Sequence, residues 1–250
     1  MLKEIEIFYN LTKNRRGILQ GKEKQKSFPV SYIHIFHKEY PRLEKINLPK
    51  RERPKNLERL FKKRRSIRDF SDKPLSLKQI STVIGSCRII EQRDKFERRT
   101  YPSAGARFPI EIYLIAFNIN KTPDGAYHYN SISHSLELLL KKDLTNVTEE
   151  IVSPFIRNPS AAIILTSVIS RSEVKYAHKA YPFSLIESGH IGQNISLVCA
   201  QQKLGCCPIG GYVDDTISEI LDLTKNEIPL YVLALGNIRK NDRRDNSPAK

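Results

Sequence analysis

The 250-residue sequence predicts an α+β fold, on three observations. Two continuous apolar runs, Pro109–Phe117 (PIEIYLIAF) and Ser160–Ile169 (SAAIILTSVI), have the length and composition of strands covered on both faces. One long, mainly apolar helix is expected over Leu185–Leu204. Helices and strands are otherwise mixed without the regular βαβ beat of a doubly wound sheet.

The elements follow in order. Residues 1–55 are polar, basic and weakly periodic, with Pro29, Pro41, Pro49 and Pro54 as breaks, and read as an extension that wraps or trails the body. Asn56–Lys63 is a short helix with Leu57, Leu60 and Phe61 on one side. Ser76 caps a helix over Leu77–Ser86, whose Leu77, Ile80, Val83 and Ile84 stand at core spacing. Gly125–Tyr129 and Leu136–Leu140 form a hairpin around Asn130-Ser131. Gly205 is the expected C-cap of the long helix. Thr216–Leu221 is a short helix and Leu230–Leu235 a last buried strand. The organisation is thus an extension (1–55), one body (56–238) and a basic tail (239–250).

Charge sharpens that division. The net charge is +15, but residues 1–68 carry 20 Lys/Arg against 7 Asp/Glu, whereas residues 69–238 carry 17 against 18. The body is nearly neutral, which weakens a nucleic-acid reading based on basicity alone. The first 20 residues hold Lys3, Glu4 and Glu6 and no apolar secretory core, and no stretch of about 18 apolar residues lacks charge. Four ill-spaced cysteines, Cys87, Cys199, Cys206 and Cys207, suit a reduced, cytoplasmic chain without membrane spans. The six histidines show no metal-ligand spacing, and no P-loop, G-x-G-x-x-G, G-x-S-x-G or H-E-x-x-H motif occurs.

Five local features carry chemistry. Arg64, Ser66 and Arg68 alternate after a helix, so an extended strand would turn two guanidiniums and a hydroxyl to one side, a grip for phosphate. A solvated basic run is the plainer reading of the same residues. Tyr101-Pro102-Ser103-Ala104-Gly105-Ala106 is a small-residue loop that lets a flat ligand approach the backbone, or an ordinary turn. Lys175-Tyr176 offers two acid/base groups if its surroundings tune them, and otherwise a surface lysine beside a packed tyrosine. Glu187 to Asn194 puts Gly189, Gln193 and Asn194 inside an apolar helix, where polar groups need a ligand or a partner helix. Pro208-Ile209-Gly210-Gly211 supplies bare backbone amides, or a plain turn. Together they suit a protein that binds a flat phosphorylated cofactor, with the cofactor performing the chemistry.

The ordered set Arg64-Arg65-Ser66-Ile67-Arg68-Asp69-Phe70, Arg99-Thr100-Tyr101-Pro102-Ser103-Ala104-Gly105-Ala106, Gly189-His190-Ile191-Gly192-Gln193-Asn194, Ile209-Gly210-Gly211 and Leu233-Ala234-Leu235-Gly236 resembles the nitroreductase superfamily of flavoproteins. Gly125-Ala126-Tyr127-His128-Tyr129, His134-Ser135-Leu136-Glu137 and Lys175-Tyr176 resemble its SagB-type branch, the thiazole/oxazole peptide-maturation dehydrogenases. The chain departs from that branch at Pro182, where Arg is usual, and at Cys206-Cys207.

The resemblance implies a mixed, mainly antiparallel sheet flanked by helices, in a domain-swapped-type homodimer with FMN at the interface. Arg64, Ser66 and Arg68 would hold the FMN phosphate and ribityl chain, with Arg239 reaching the phosphate. Pro102, Ser103 and Ala104 would lie along the isoalloxazine from the partner subunit. Gln193 and Asn194 match polar flavin-side positions, and Ile209, Gly210 and Gly211 would approach N5 and O4 by their backbone. Lys175 and Tyr176 would be catalytic. The implied reaction is oxidation of a thiazoline- or oxazoline-like ring in a peptide, with partner maturation enzymes. Two readings compete with it: an NAD(P)H-dependent nitroreductase or quinone reductase, and a non-catalytic nucleic-acid or peptide-binding protein using the basic leader.

Overall fold

The computed structural model describes residues 1–16, 37–50, 52, 54–93 and 96–239. The elements in chain order are α1 (Lys3–Thr12), α2 (Lys55–Lys63), α3 (Leu77–Ile84), β1 (Ile89–Arg93), β2 (Phe96–Arg99), β3 (Ile110–Ala116), β4 (Gly125–Asn130), β5 (Ser135–Lys141), α4 (Thr148–Val152), β6 (Ala161–Val168), α5 (Ser170–Tyr176), α6 (Ala180–Gln202), β7 (Leu204–Ile209), α7 (Asp214–Ile220) and β8 (Glu227–Asn237). Six strands form one antiparallel sheet in the order β5-β4-β3-β6-β8-β7, and β1 and β2 form a separate hairpin.

Strand alternation explains the apolar runs. On β3, Ile110, Ile112, Leu114 and Ala116 face a core built with α3 and with Ile191, Ile195 and Cys199 of α6. Tyr113 and Ile115 face the opposite core, against Ile151 and Val152 of α4 and Ile217 of α7. Both faces are covered, so the central strands are mainly apolar, with Glu111 the one charged residue on β3.

The long helix starts earlier than expected, at Ala180, and Gly205 does not cap it. Lys203 does, in the left-handed conformation (φ 59°) with its N–H on Ala200 and Cys199 carbonyls. Gly205 instead lies in β7, where a Cβ would stand 2.7 Å from the Phe70 ring. Five further elements are absent from the sequence reading: α1, the β1–β2 hairpin, α4, α5 and β7. Helix α1 docks on the body through Ile5, buried with Ile169, Ala180 and Ile228. Ser76 caps α3 with a full capping box: its hydroxyl accepts the Gln79 N–H and its own N–H donates to the Gln79 side chain.

Candidate active site

The first half of the site lies along the β7 edge. After α2 ends at Lys63, the chain runs extended, Ser66 pairs in parallel with Cys206, and the Ile67 N–H donates to the Cys206 carbonyl at 3.0 Å. The far end is pinned by Arg157, which donates to Arg68 O at 2.8 Å and accepts from Phe70 N at 3.0 Å. Buried Phe70 fits against Gly205 and Gly236, where any Cβ would collide with its ring. Arg64, Ser66 and Arg68 are therefore held beside the strand that ends in Ile209, and Gly210-Gly211 follows directly. Ile209 is buried, whereas a Cβ on Gly210 or Gly211 would meet nothing within 4 Å, so this backbone faces open space. Gly210-Gly211 thus follows strand β7 directly.

Arg239 is engaged elsewhere. Its Nη2 donates to Phe70 O at 2.9 Å and its Nε lies 3.3 Å from Asp69. It lines a cavity of about 450 Å3 on the Arg65 and Ile67 side of the segment, with Ser196, Ala200 and Cys206 of the helix and strand opposite.

The second half gathers around the Tyr101–Ala106 loop. Gly105 has φ 59°, and a Cβ there would collide with the Tyr176 hydroxyl and lie 2.8 Å from Lys175 Nζ. Both tips of the expected catalytic pair thus converge on this loop, with Nζ 5.4 Å from the Tyr176 ring centre. The pair ends the short helix α5. Arg171 fixes that helix: its Nη2 lies 2.5 Å from Glu111 Oε1, its Nη1 donates to Phe108 O, and its carbonyl accepts from Arg107 Nε at 2.6 Å. Glu111 is bonded in turn to His128, which also meets Glu137. Pro102 is exposed, and Ser103 and Ala104 are half-buried.

Ser103 leads to a residue the motif reading did not single out. Its hydroxyl accepts from the Phe108 N–H at 2.9 Å and donates to Glu187 Oε2 at 2.5 Å. Glu187 is only 3% exposed, and its Oε1 has no hydrogen-bond partner. Burial pushes its carboxyl up to about 7, against the weaker opposing effects of the Ser103 hydrogen bond and the Arg99 charge. The sequence signal was a carboxylate within an apolar helix. Asn194, on the same helix, donates to Thr100 O at 3.1 Å and so secures the entry to the loop, while Gln193 points outward, exposed.

Thiol chemistry is not supported here. All four cysteines are buried and free, and burial raises Cys87 to about 12 and Cys207 to about 11, leaving little thiolate at neutral pH. Among the described residues no group of His, Cys, Asp or Glu could hold a metal, and no helix is long and apolar enough to cross a membrane.

The sequence matches the nitroreductase family over residues 61–237. The chain belongs to that family. It is an oxidoreductase of a fold that generally carries flavin. Among individual proteins, MJ1384 of Methanocaldococcus jannaschii, named as a nitroreductase, is 29% identical over 193 residues, covering 76% of this chain and 95% of its own length. The Escherichia coli microcin B17-processing protein McbC is 28% identical over 149 residues, covering 56% of this chain and 55% of McbC. The fold agrees with a chain of the E. coli microcin synthetase McbBCD complex with truncated pro-MccB17 bound, at a TM-score of 0.75 and 21% identity, covering 94% and 92% of the two chains. A nitroreductase-type crystal structure from Ralstonia eutropha gives 0.64 at 24% identity, covering 77% and 88%. These neighbours bear out the expected antiparallel sheet flanked by helices and the relation to the SagB-type branch.

The residues present suit a flavin. Bare backbone at Gly210-Gly211 leaves room that a Cβ would narrow, and a strand carrying Arg64, Ser66 and Arg68 runs beside it.

Proposed function

We propose that the chain is an FMN-dependent dehydrogenase that converts a thiazoline- or oxazoline-like ring in a peptide to the aromatic azole. One observation carries the reading: Lys175 Nζ and the Tyr176 hydroxyl converge on the small-residue loop at Gly105, two residues from Ser103. The likeness to McbC, named for processing microcin B17, supports the substrate class.

Aromatising the ring removes one proton and one hydride. A bound FMN would supply the hydride acceptor. The chain's own share is binding, orientation and the proton. Arg64, Ser66 and Arg68 hold the phosphate end, where forked guanidiniums give charge-assisted bonds. Ile209, Gly210 and Gly211 present backbone toward the flavin ring, and Gln193 supplies a polar group from the exposed face of α6. Lys175 or Tyr176 takes the proton from the ring carbon. Arg171 keeps both on a helix whose end cannot drift from the loop. Pro102, Ser103 and Ala104 line a flavin held by a second copy of the chain, so the active unit is a homodimer. Partner maturation enzymes would supply the azoline.

The test is direct. Purified protein should show flavin absorbance between about 350 and 500 nm, bleached anaerobically by an azoline peptide. Lys175→Ala and Tyr176→Phe should keep the absorbance and lose at least about 100-fold in turnover. Normal turnover in both variants, or rapid bleaching by NADPH in place of the azoline, overturns the reading in favour of a nitroreductase. A colourless protein that binds DNA with a steep salt dependence would favour the binding-protein reading instead.

A further inference from the structure

Glu187 is a buried carboxylate beside the loop that this mechanism leaves without a task. Its surroundings are specific. Among the described residues Ser103 Oγ is its only hydrogen-bond partner, and Oε1 is buried without one. The nearest cation, Arg99, is already engaged by Glu97 at 2.5 Å and by the Tyr101 hydroxyl at 3.0 Å. Tyr101 also faces Glu187 from the loop. On the other side, Phe183, one helical turn before Glu187, packs edge-on against the Tyr176 ring at 5.1 Å. Contacts therefore close a ring from Glu187 through Ser103 and Gly105 to Lys175 and Tyr176, and back through Phe183 to the same helix.

We propose that Glu187 is a positioning residue that, as a neutral acid, latches the Tyr101–Ala106 loop onto α6 and so sets the loop against Lys175 and Tyr176. The inference rests on the dehydrogenase reading for its consequence in turnover, but not for the latch itself. A neutral acid satisfies Ser103 through Oε2 and carries its proton on the other oxygen. An ionised carboxylate would leave a buried charge with one oxygen bare, and no free cation stands beside it. Water can reach that oxygen only if the loop lifts from the helix. The loop is thus locked when Glu187 is protonated and loosened when it ionises. The charged and titratable groups facing it are Arg99 and Tyr101, both held above their ordinary values and so unchanged in charge between pH 6 and 8.5, with Lys175 and Tyr176 beyond Gly105.

The experiment uses the full chain with its bound flavin. Amide exchange protection of residues 101–108 is measured at pH 6 and pH 8.5 in the wild type and in Glu187→Gln, which mimics the neutral acid in shape and hydrogen bonding. Protection in the wild type should fall at least about tenfold at the higher pH, and that of Glu187→Gln should not. In azoline turnover, the wild type should lose kcat or gain KM on the alkaline side, and Glu187→Gln should lack that limb. Glu187→Ala should be loose at both pH values. Equal protection in the wild type at both pH values, or an alkaline loss kept unchanged in Glu187→Gln, overturns the latch. A pH-dependent latch in a protein that oxidises no azoline leaves the latch standing and removes the dehydrogenase reading.

Discussion

Replacing Glu187 by Gln should make the protein more stable, and by an amount that grows with pH. The native carboxyl is held at about 7, against an ordinary 4.5. Below pH 4.5 the acid is protonated in both folded and unfolded chains and contributes no difference. As pH rises through the window from 4.5 to 7, the unfolded chain releases its proton first, so folding is penalised increasingly. Above 7 both forms are ionised and the penalty levels off. A gap of about 2.5 pH units at roughly 1.4 kcal/mol each gives a full penalty of about 3 kcal/mol, of which about 2.5 falls between pH 5 and pH 8. With 3% of the residue exposed, solvent screening removes little of it. Gln keeps the Ser103 hydrogen bond and has no charge to bury. Urea unfolding of both proteins at fixed concentration, at pH 5 and pH 8, measures the difference, and every other titrating group, including Asp214 at about 6, cancels between them. If the stability gap between variant and wild type is the same at the two pH values, Glu187 does not carry a proton into the folded state and the reasoning fails.

Two other changes probe the supports of the site. Gly192→Ala puts a Cβ 2.6 Å from Tyr231 Cε1 under α6 and should cost about 1–3 kcal/mol, read as a lower Tm; an unchanged Tm would mean that the helix shifts freely there. His128 is bonded to Glu111 at 3.0 Å and Glu137 at 2.8 Å, which hold it above its ordinary 6.5. Its contribution is full below pH 6.5 and lost as pH rises through the raised value, so His128→Asn should destabilise at pH 6 and less at pH 9, by no more than about 1 kcal/mol for a partly exposed pair. A cost independent of pH would refute the ionic account.

What the sequence made legible follows from how each element is buried. The central strands announced themselves because both faces are covered, so Ile110–Ala116 and Ala161–Val168 contain almost nothing polar. Strand β7 (LGCCPI) was hidden, because Gly and Pro weigh against a strand and two of its four core residues are cysteines, alongside Leu204 and Ile209. Helix α1 was hidden by its charges: Ile5 alone among its residues is fully buried. The helix end was misplaced because a lysine, not a glycine, adopts the left-handed cap, a choice that local propensity does not favour. At the site, contiguous segments such as Arg64–Arg68 and Lys175-Tyr176 were visible. The Ser103–Glu187 bond was not, since its partners are 84 residues apart and neither residue type signals the other.

The two halves of the site bear on the dimer proposal. The phosphate strand and Gly210-Gly211 lie at the β7 edge, by Cys206 and Ile209, whereas the Tyr101–Ala106 loop meets α6 at Glu187. Among the described residues, no hydrogen bond joins the loop to the phosphate strand. In the proposed dimer, an FMN held by Arg64, Ser66 and Arg68 of one chain would meet the Pro102–Ala104 loop of another. The face of α6 between the halves fits that arrangement: Leu185, Ile186, Gly189, His190 and Gln193 are all exposed, with Ile186 57% open, and a Cβ on Gly189 would touch nothing. This partly apolar face, with a glycine at its centre, would let a second α6 approach closely in the proposed dimer. The basic leader takes a different part. Lys13 pairs with Asp215 at 2.8 Å and Arg16 with Glu219 at 2.5 Å, so some of its charge is matched by α7 of its own chain before any acidic partner is involved. In the proposed dimer the flavin site would draw on a second copy, whereas Lys13 and Arg16 of the leader have their partners within one chain.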